Sequence, residues 1–273
     1  MTDITYVSEP TVNYNYHCGD DLAVVNAARR SFNKKSDWDW VQDPDSKWSN
    51  SYCLHLKPKD KNLIEFLARG MSSEDFDKYV DNLHLFLTDD EERMILKQQL
   101  WTWRHTPTHD TPFNHCFVSF DVEAPIYVRA HLVKSEYLIM SEFSRRYITD
   151  DIRIFRPKVW RGAAENKKQG SHGIVELDYH TKNSVESAVV SAVHAYNLLL
   201  SKGVAPEQAR GKLPQEMMTA WTWSGTLGAF AKMCQLRLSS EAQQETRDVA
   251  RLVRDKLYEL FPVSAPALIE GVH

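Results

Sequence analysis

The sequence holds no apolar run approaching the ~20 residues of a membrane helix, so no membrane partner is expected. It lacks a charged-then-apolar leader as well. The opening stretch, MTDITYVSEPTVNYNYHCGDD, predicts a cytoplasmic protein, in the host cytoplasm if the source is viral. It carries no large excess of one charge. Lysine plus arginine is 33 and aspartate plus glutamate is 37, a formal net charge of −4. Without a global basic field, DNA is not an expected partner. Cysteine is scarce: Cys18, Cys53, Cys116 and Cys234 form no CxxC pair and read as free thiols of a reducing compartment. No GxGxxG, GxxxxGK(S/T) or GxSxG is present, so the motif-borne dinucleotide, P-loop and hydrolase sites are not indicated. His105 and His109 have metal-ligand spacing, but Pro107 between them argues against the helix that spacing needs, and no metal is expected.

What is present is ordinary globular material: 273 residues, 42% hydrophobic and 26% charged, enough to bury a real core. Leu22, Val25, Ala28 and Phe32 recur at helical spacing between Asp20 and Phe32. A polar, tryptophan-rich stretch follows and reads as a loop or an inserted excursion. Lys61 to Gly70 predicts a helix with a glycine cap, and residues 89–104 predict another with acidic residues in its first turn. His115 to Val128 reads as a strand interrupted at Pro125, where a helix can begin. The stripe Val185, Val189, Ala192, Tyr196 and Leu199 predicts an amphipathic helix over residues 183–202, with Asn183 and Glu186 at capping-box spacing. Pro214 is expected to open one long, buried helix running to residue 238. Ser240 and Gln243 have cap spacing for a last helix ending near Phe261. The expected fold class is α+β: a single mixed domain with a sheet, several helices and one long buried helix.

The densest polar cluster is SEFSRRY, Ser141 to Tyr147. Backbone N–H groups, Ser144 and arginine forks can cradle a phosphate. The same string also reads as a solvated helix end with surface charge. It lies in a longer series: TPFNH (Thr111–His115), APIYV (Ala124–Val128), PKVWRGAAENKKQGS (Pro157–Ser171), ARGKLP (Ala209–Pro214) and LRLSSEAQQETR (Leu236–Arg247). In order and spacing this series resembles the flavin-dependent thymidylate synthases. Their pattern is TPFxH, APxxV, RHRxxSxNExSxRY, an NKQGS loop, ARxxLP and LRxxxxAQxExR. The resemblance covers most of residues 20 to 262 and implies one domain over residues 1–273 with an insertion around residues 33–88.

The departures are specific. The family's Arg-His-Arg falls on Lys134, Ser135 and Glu136, its serine on Ile139 and its first asparagine on Ser141, while Glu142, Ser144, Arg146 and Tyr147 match. Asparagines of the later apolar stretch become Thr226 and Lys232. The resemblance implies FAD as cofactor, held by residues at His115, Lys134, Ser135, Glu136, Glu142, Thr226 and Lys232. A glutamate where an arginine met pyrophosphate should repel it, and Lys232 is a candidate replacement cation. The resemblance also implies a dUMP-like nucleotide at His131, Lys134, Glu142, Ser144, Arg145, Arg146, Arg210 and Arg237. Arg237 falls on the arginine credited with favouring ionisation at pyrimidine N3, which makes it the catalytic candidate. As alternatives read from the residues, Arg237 caps the C-terminus of its helix, Arg210 is a surface arginine, and His115 is a satisfied histidine opening a strand.

The implied reaction moves a one-carbon unit from 5,10-methylenetetrahydrofolate to C5 of dUMP, with FAD recharged by NADPH, making dTMP. The implied assembly is a homotetramer with active sites shared between subunits. The rival readings are a phage-type hydroxymethylase acting on dUMP or dCMP, and a flavin-free nucleotide-binding relative. A cysteine nucleophile is disfavoured, because Cys116 and Cys234 sit in apolar segments that would not support a thiolate.

Overall fold

The computed structural model describes residues 4–42, 51–70, 109–164 and 170–269, together with residues 78, 89–92, 94, 95 and 98. In chain order it contains β1 (Ile4–Val7), β2 (Thr11–Cys18), α1 (Asp21–Arg29), β3 (Asp39–Gln42), β4 (Tyr52–His55), α2 (Pro58–Arg69) and β5 (Phe117–Pro125). There follow α3 (Ile126–Leu132), β6 (Leu138–Glu142), β7 (Ile152–Phe155), β8 (Trp160–Ala163), β9 (Ser171–Val175), α4 (Tyr179–Ser201) and α5 (Pro206–Ala209). The chain then forms β10 (Met218–Thr226), α6 (Leu227–Arg237), α7 (Gln244–Leu260) and α8 (Ser264–Ile269). The α+β class expected from the sequence is the class observed.

The centre is a four-stranded sheet in the order β2-β5-β10-β6, with every pairing antiparallel. Phe120, Val122, Trp221, Trp223 and Met140 share one face of it by register. That face packs on α6 and α7, where Phe230, Val249, Val253 and Leu257 are fully buried. The other face is polar: Ser119 and Ser224 share a 2.8 Å hydrogen bond, and Thr222 donates to Asp121 at 2.6 Å. A second cluster joins Ile152 and Ile154 of β7 to Val189, Val193 and Tyr196 of α4, and to Met217.

The expected long helix from Pro214 does not form. Residues 218–226 are the inner strand β10, flanked by β5 and β6, and the helix starts only at Leu227. A strand paired on both edges and packed on one face, followed at once by a buried helix, reads in sequence as one continuous apolar stretch. The remaining helix is buried as expected, with Leu227 to Ala231, Met233 and Cys234 inaccessible.

Smaller corrections have local causes. Asp178, not Asn183, caps α4, accepting from Thr181 N at 2.8 Å. Glu186 instead takes Tyr6 and Arg156. Gln243 precedes α7 without a side-chain cap bond, and a further helix, α8, follows Pro262. Buried Asp21 accepts from Val263 N and Ser264 N at 2.8 and 2.9 Å, which fastens α8 to α1. His115 closes a 3-10 turn, Thr111–His115, rather than opening a strand. Part of the tryptophan-rich excursion is the β3–β4 hairpin. Gly70 ends α2 at φ 77°, as its glycine cap predicted, but the helix begins at Pro58. The helix expected at residues 89–104 and the loop at residues 165–169 lie mostly outside the described residues.

Candidate active site

Three groups hold the side chains that the motifs single out, and two of them stand at the two ends of β10. Its eight residue steps separate Met218 from Thr226 by roughly 26 Å.

At the Met218 end, β6 finishes with Glu142, which pairs in register with Trp221. Arg129 of α3 holds one Glu142 oxygen at 2.5 Å, and Thr219 donates to the other at 3.0 Å. The carboxylate is thereby fixed as an acceptor. Beside it a cavity of about 380 Å³ is lined by Glu142, Ser144, Arg145, Arg210, Met218 and Thr219, gathered from two separate motifs and β10. Ser144 turns the chain: Tyr147 N bonds its carbonyl at 3.1 Å and Arg146 N its hydroxyl at 3.4 Å. Arg145 grips the carbonyls of Asp150 and Asp151, the latter at 2.6 Å, and stacks 4.8 Å over Phe143. Burial pulls its pKa down, yet a guanidinium stays charged. Arg145 therefore shapes the loop that presents Arg146. Arg146 and Arg210 are exposed, with no ion-pair partner among the described residues.

The second group is Arg237 with His131. Arg237 lies in the last turn of α6, and its Nη2 donates to the His131 carbonyl at 2.8 Å. That carbonyl belongs to the last turn of α3, so the guanidinium caps a neighbouring helix rather than its own. Its Nε is buried without a partner, and burial lowers its pKa. His131 Nδ1 meets Thr246 Oγ1 at 3.2 Å. Arg237 is thus held at one end with donors to spare.

The third group stands at the Thr226 end. Thr226 caps α6, accepting from Ala229 N at 3.2 Å and donating to Asn114 Oδ1 at 2.6 Å. Lys232, further along the same helix, pairs with Asp110 at 2.8 Å. This bond lifts the lysine pKa and holds the Asp110 carboxyl below its usual range. Lys134 and Glu136 are exposed; Ser135 is half-buried with its hydroxyl unpartnered.

Next to this corner opens the larger cavity, about 870 Å³, between α1, α2 and the Thr111–His115 turn. His109, Thr111, His115, Phe32 and Phe66 are among its lining residues, and Lys34 and Lys59 add positive charge. Phe66 and His109 stack at 6.3 Å. A flat aromatic ring with an anionic tail suits this lining, so the residues fit a flavin at its ring end. Glu136 stands where the family pattern has an arginine, so Lys232, Lys34 and Lys59 are the cations available to an anionic tail.

Of the sequence-predicted residues, Glu142, Ser144, Arg145 and Arg210 are brought together, and so are His115, Thr226 and Lys232. The two sets sit at opposite ends of β10 within one chain. The sequence reasoning did not find Arg129 or Thr219, whose roles depend on strand register, and weighed His109 only as a metal ligand. Its adjacency to TPFNH was the available signal. His105 lies outside the described residues. Among the described residues no helix is long and apolar enough to cross a membrane.

The family model described as thymidylate synthase complementing protein matches residues 14–263. A flavin-dependent thymidylate synthase of Thermus thermophilus is 33% identical over 167 residues, 60% of this chain and 62% of that protein. This chain therefore aligns with under two thirds of the Thermus relative. The counterpart in Thermosipho africanus is 27% identical over 254 residues, 92% of this chain and 87% of its own. Among solved structures, a UMP/dUMP methylase, PolB from Streptomyces cacaoi bound with 5-Br dUMP, superposes with a TM-score of 0.68. At 23% identity, with 96% of each chain covered, that likeness establishes the fold.

Proposed function

The chain belongs to the thymidylate synthase complementing protein family, and on that premise we propose that it transfers a one-carbon unit from 5,10-methylenetetrahydrofolate to C5 of dUMP. FAD, recharged by NADPH, would supply the hydride that completes the methyl group of dTMP. The observation that carries this reading is the smaller cavity, where Glu142, Ser144 and Arg210 converge from motifs far apart in sequence. An acceptor, a hydroxyl and a guanidinium in one small space match a nucleotide's sugar and phosphate. Arg146, presented by the loop that Arg145 braces, adds a second phosphate cation.

Arg237 acts on the pyrimidine. Its guanidinium is already oriented through His131, so its remaining N–H groups can stabilise negative charge developing on the ring without reorganisation. Glu142, held by Arg129 and Thr219, accepts from the nucleotide and fixes its register. Ser144 serves as a phosphate ligand. Neither buried thiol serves as nucleophile: Cys116 is pushed up to about 12 by burial, and burial also raises Cys234.

His109 and His115 in the larger cavity would hold the FAD ring, and Thr226 and Lys232 would serve its phosphates. Because the nucleotide and flavin groups lie at opposite ends of β10, one copy does not bring them together. This separation supports a homotetramer in which one subunit's nucleotide end meets another's flavin end.

The test is incubation with dUMP or dCMP, 5,10-methylenetetrahydrofolate, FAD and NADPH, with mass analysis of the nucleotide. A gain of one methyl group on dUMP is expected. A hydroxymethyl product would replace the methylation reading, and an unaltered nucleotide would overturn the enzymatic one.

A further inference from the structure

Forming a carbon–carbon bond at C5 of a pyrimidine leaves a proton to be removed, because C5 carries a hydrogen that the product lacks. Most residues given to the nucleotide are poor acceptors for it. A guanidinium keeps its proton throughout the accessible pH range, which excludes Arg146, Arg210 and Arg237. Ser144 has only a hydroxyl. Glu142 already accepts from Arg129 and Thr219. Histidine is the side chain whose ordinary charge change falls between pH 5 and 8, and His131 is the histidine of these groups.

The fold places His131 for this task. It is the sixth residue of α3, whose first residue, Ile126, lines the smaller cavity and whose Arg129 holds Glu142. Five residue steps of helix are about 7.5 Å. The His131 carbonyl fixes Arg237, so the guanidinium proposed for the pyrimidine rests on the same residue that carries the imidazole. The ring itself is held at one nitrogen. Its Nδ1 lies 3.2 Å from Oγ1 of Thr246, which is fully buried in the first turn of α7. His131 is otherwise exposed, and its Nε2 has no hydrogen bond among the described residues. A ring fastened at Nδ1 and open at Nε2 has the arrangement of a general base.

We infer that His131 is the catalytic base that takes the C5 proton. The inference rests on the one-carbon transfer and the pyrimidine placement proposed above. The C5=C6 pair of the ring forms the bond to the one-carbon unit. One bond from that carbon to a folate nitrogen breaks, its electrons going to the nitrogen. The C5–H bond then breaks; its pair restores the C5=C6 double bond and its proton passes to Nε2. For Nε2 to be free, the neutral ring carries its own proton on Nδ1 and donates to Thr246 Oγ1. Thr246 is thus a positioning residue. The imidazolium returns its proton to water across its exposed face.

The experiment supplies dUMP tritiated at C5 to the full-length protein with 5,10-methylenetetrahydrofolate, FAD and NADPH, and measures tritium released to water. Calorimetry of dUMP binding runs alongside. His131→Asn keeps a donor for Thr246 but takes up no proton, and His131→Ala leaves room for added imidazole. The Arg237 contact survives in both, because it is made to the backbone carbonyl. Tritium release should fall about a hundredfold or more, while dUMP affinity stays within about threefold. Imidazole should restore part of the rate in His131→Ala. Release at the parental rate in both variants would overturn the inference and leave His131 a brace for Arg237. A rate loss matched by an equal loss of dUMP affinity, without rescue by imidazole, would make His131 a binding residue and overturn it as well. If the parent releases no tritium, the one-carbon transfer reading falls and this inference falls with it.

Discussion

Replacing Arg237 by lysine separates two roles that one side chain holds in this fold. The guanidinium donates through Nη2 to the His131 carbonyl at 2.8 Å, closing the last turn of α3. Its Nε is buried without a partner among the described residues, and the proposed role needs the rest of the fork for a pyrimidine. A lysine keeps the positive charge, but its three donors sit on one nitrogen and cannot span two sites as the planar fork does. It can satisfy the carbonyl or the ring, not both. The structural loss is small, because one charge-assisted hydrogen bond is replaced by another, and at most about 1 kcal/mol of stability should go. At this chain length that is roughly 2–4 °C in Tm. The catalytic loss should be larger. Removing a preorganised donor from developing negative charge typically lowers kcat by ~10²-fold or more. Nucleotide affinity should fall by less than about tenfold, since the interaction strengthens mainly in the transition state. The assay is single-turnover conversion of dUMP under saturating nucleotide, with a separate calorimetric Kd. Arg237→Lys turning over at the parent rate would show that the side chain only joins α3 to α6, and the catalytic assignment would be wrong.

Arg146→Ala and Arg210→Ala should each weaken dUMP binding about ten- to a hundredfold, as loss of a bond worth roughly 1.5–3 kcal/mol implies. Calorimetry reads this, and unchanged affinity in both would refute the phosphate placement. Alkylation with iodoacetamide at pH 8.5 should label exposed Cys18 while sparing Cys116, pushed up to about 12, and buried Cys234; labelled Cys116 or Cys234 peptides in mass spectra of native protein would contradict the thiol assignments. Lys232→Met should lose a stability increment that depends on pH. Asp110 is held below its usual pKa, so the pair contributes above about pH 4 and fades as pH falls through the lowered value. With both groups substantially exposed the increment is at most ~1 kcal/mol. Urea unfolding at pH 7 and pH 2.5 measures it, and a difference that does not change with pH would exclude the ion pair.

The sequence by itself determined what depends on near neighbours. Pro125 ends a strand and opens α3, and Gly70 closes α2 through a left-handed cap, because φ restrictions act on single residues. The apolar stripe of α4 was legible for the same reason, its period being that of the helix itself. The ordered motifs singled out Glu142, Ser144 and Arg210, which the fold then brings to one cavity. Tertiary structure decided what depends on partners far along the chain. Residues 218–226 are a strand because β5 and β6 flank them, and pairing on both edges outweighs a local pattern that continues into a helix. Glu142 became a fixed acceptor only when register set Thr219 beside it and α3 brought Arg129. Arg145, indistinguishable from Arg146 in sequence, was turned inward by the carbonyls of its own loop. The residues proposed for the nucleotide and those proposed for the flavin, interleaved along the chain, were parted by the length of β10. Chain order carries no record of that distance, because an extended strand separates in space what the motif series holds close in sequence.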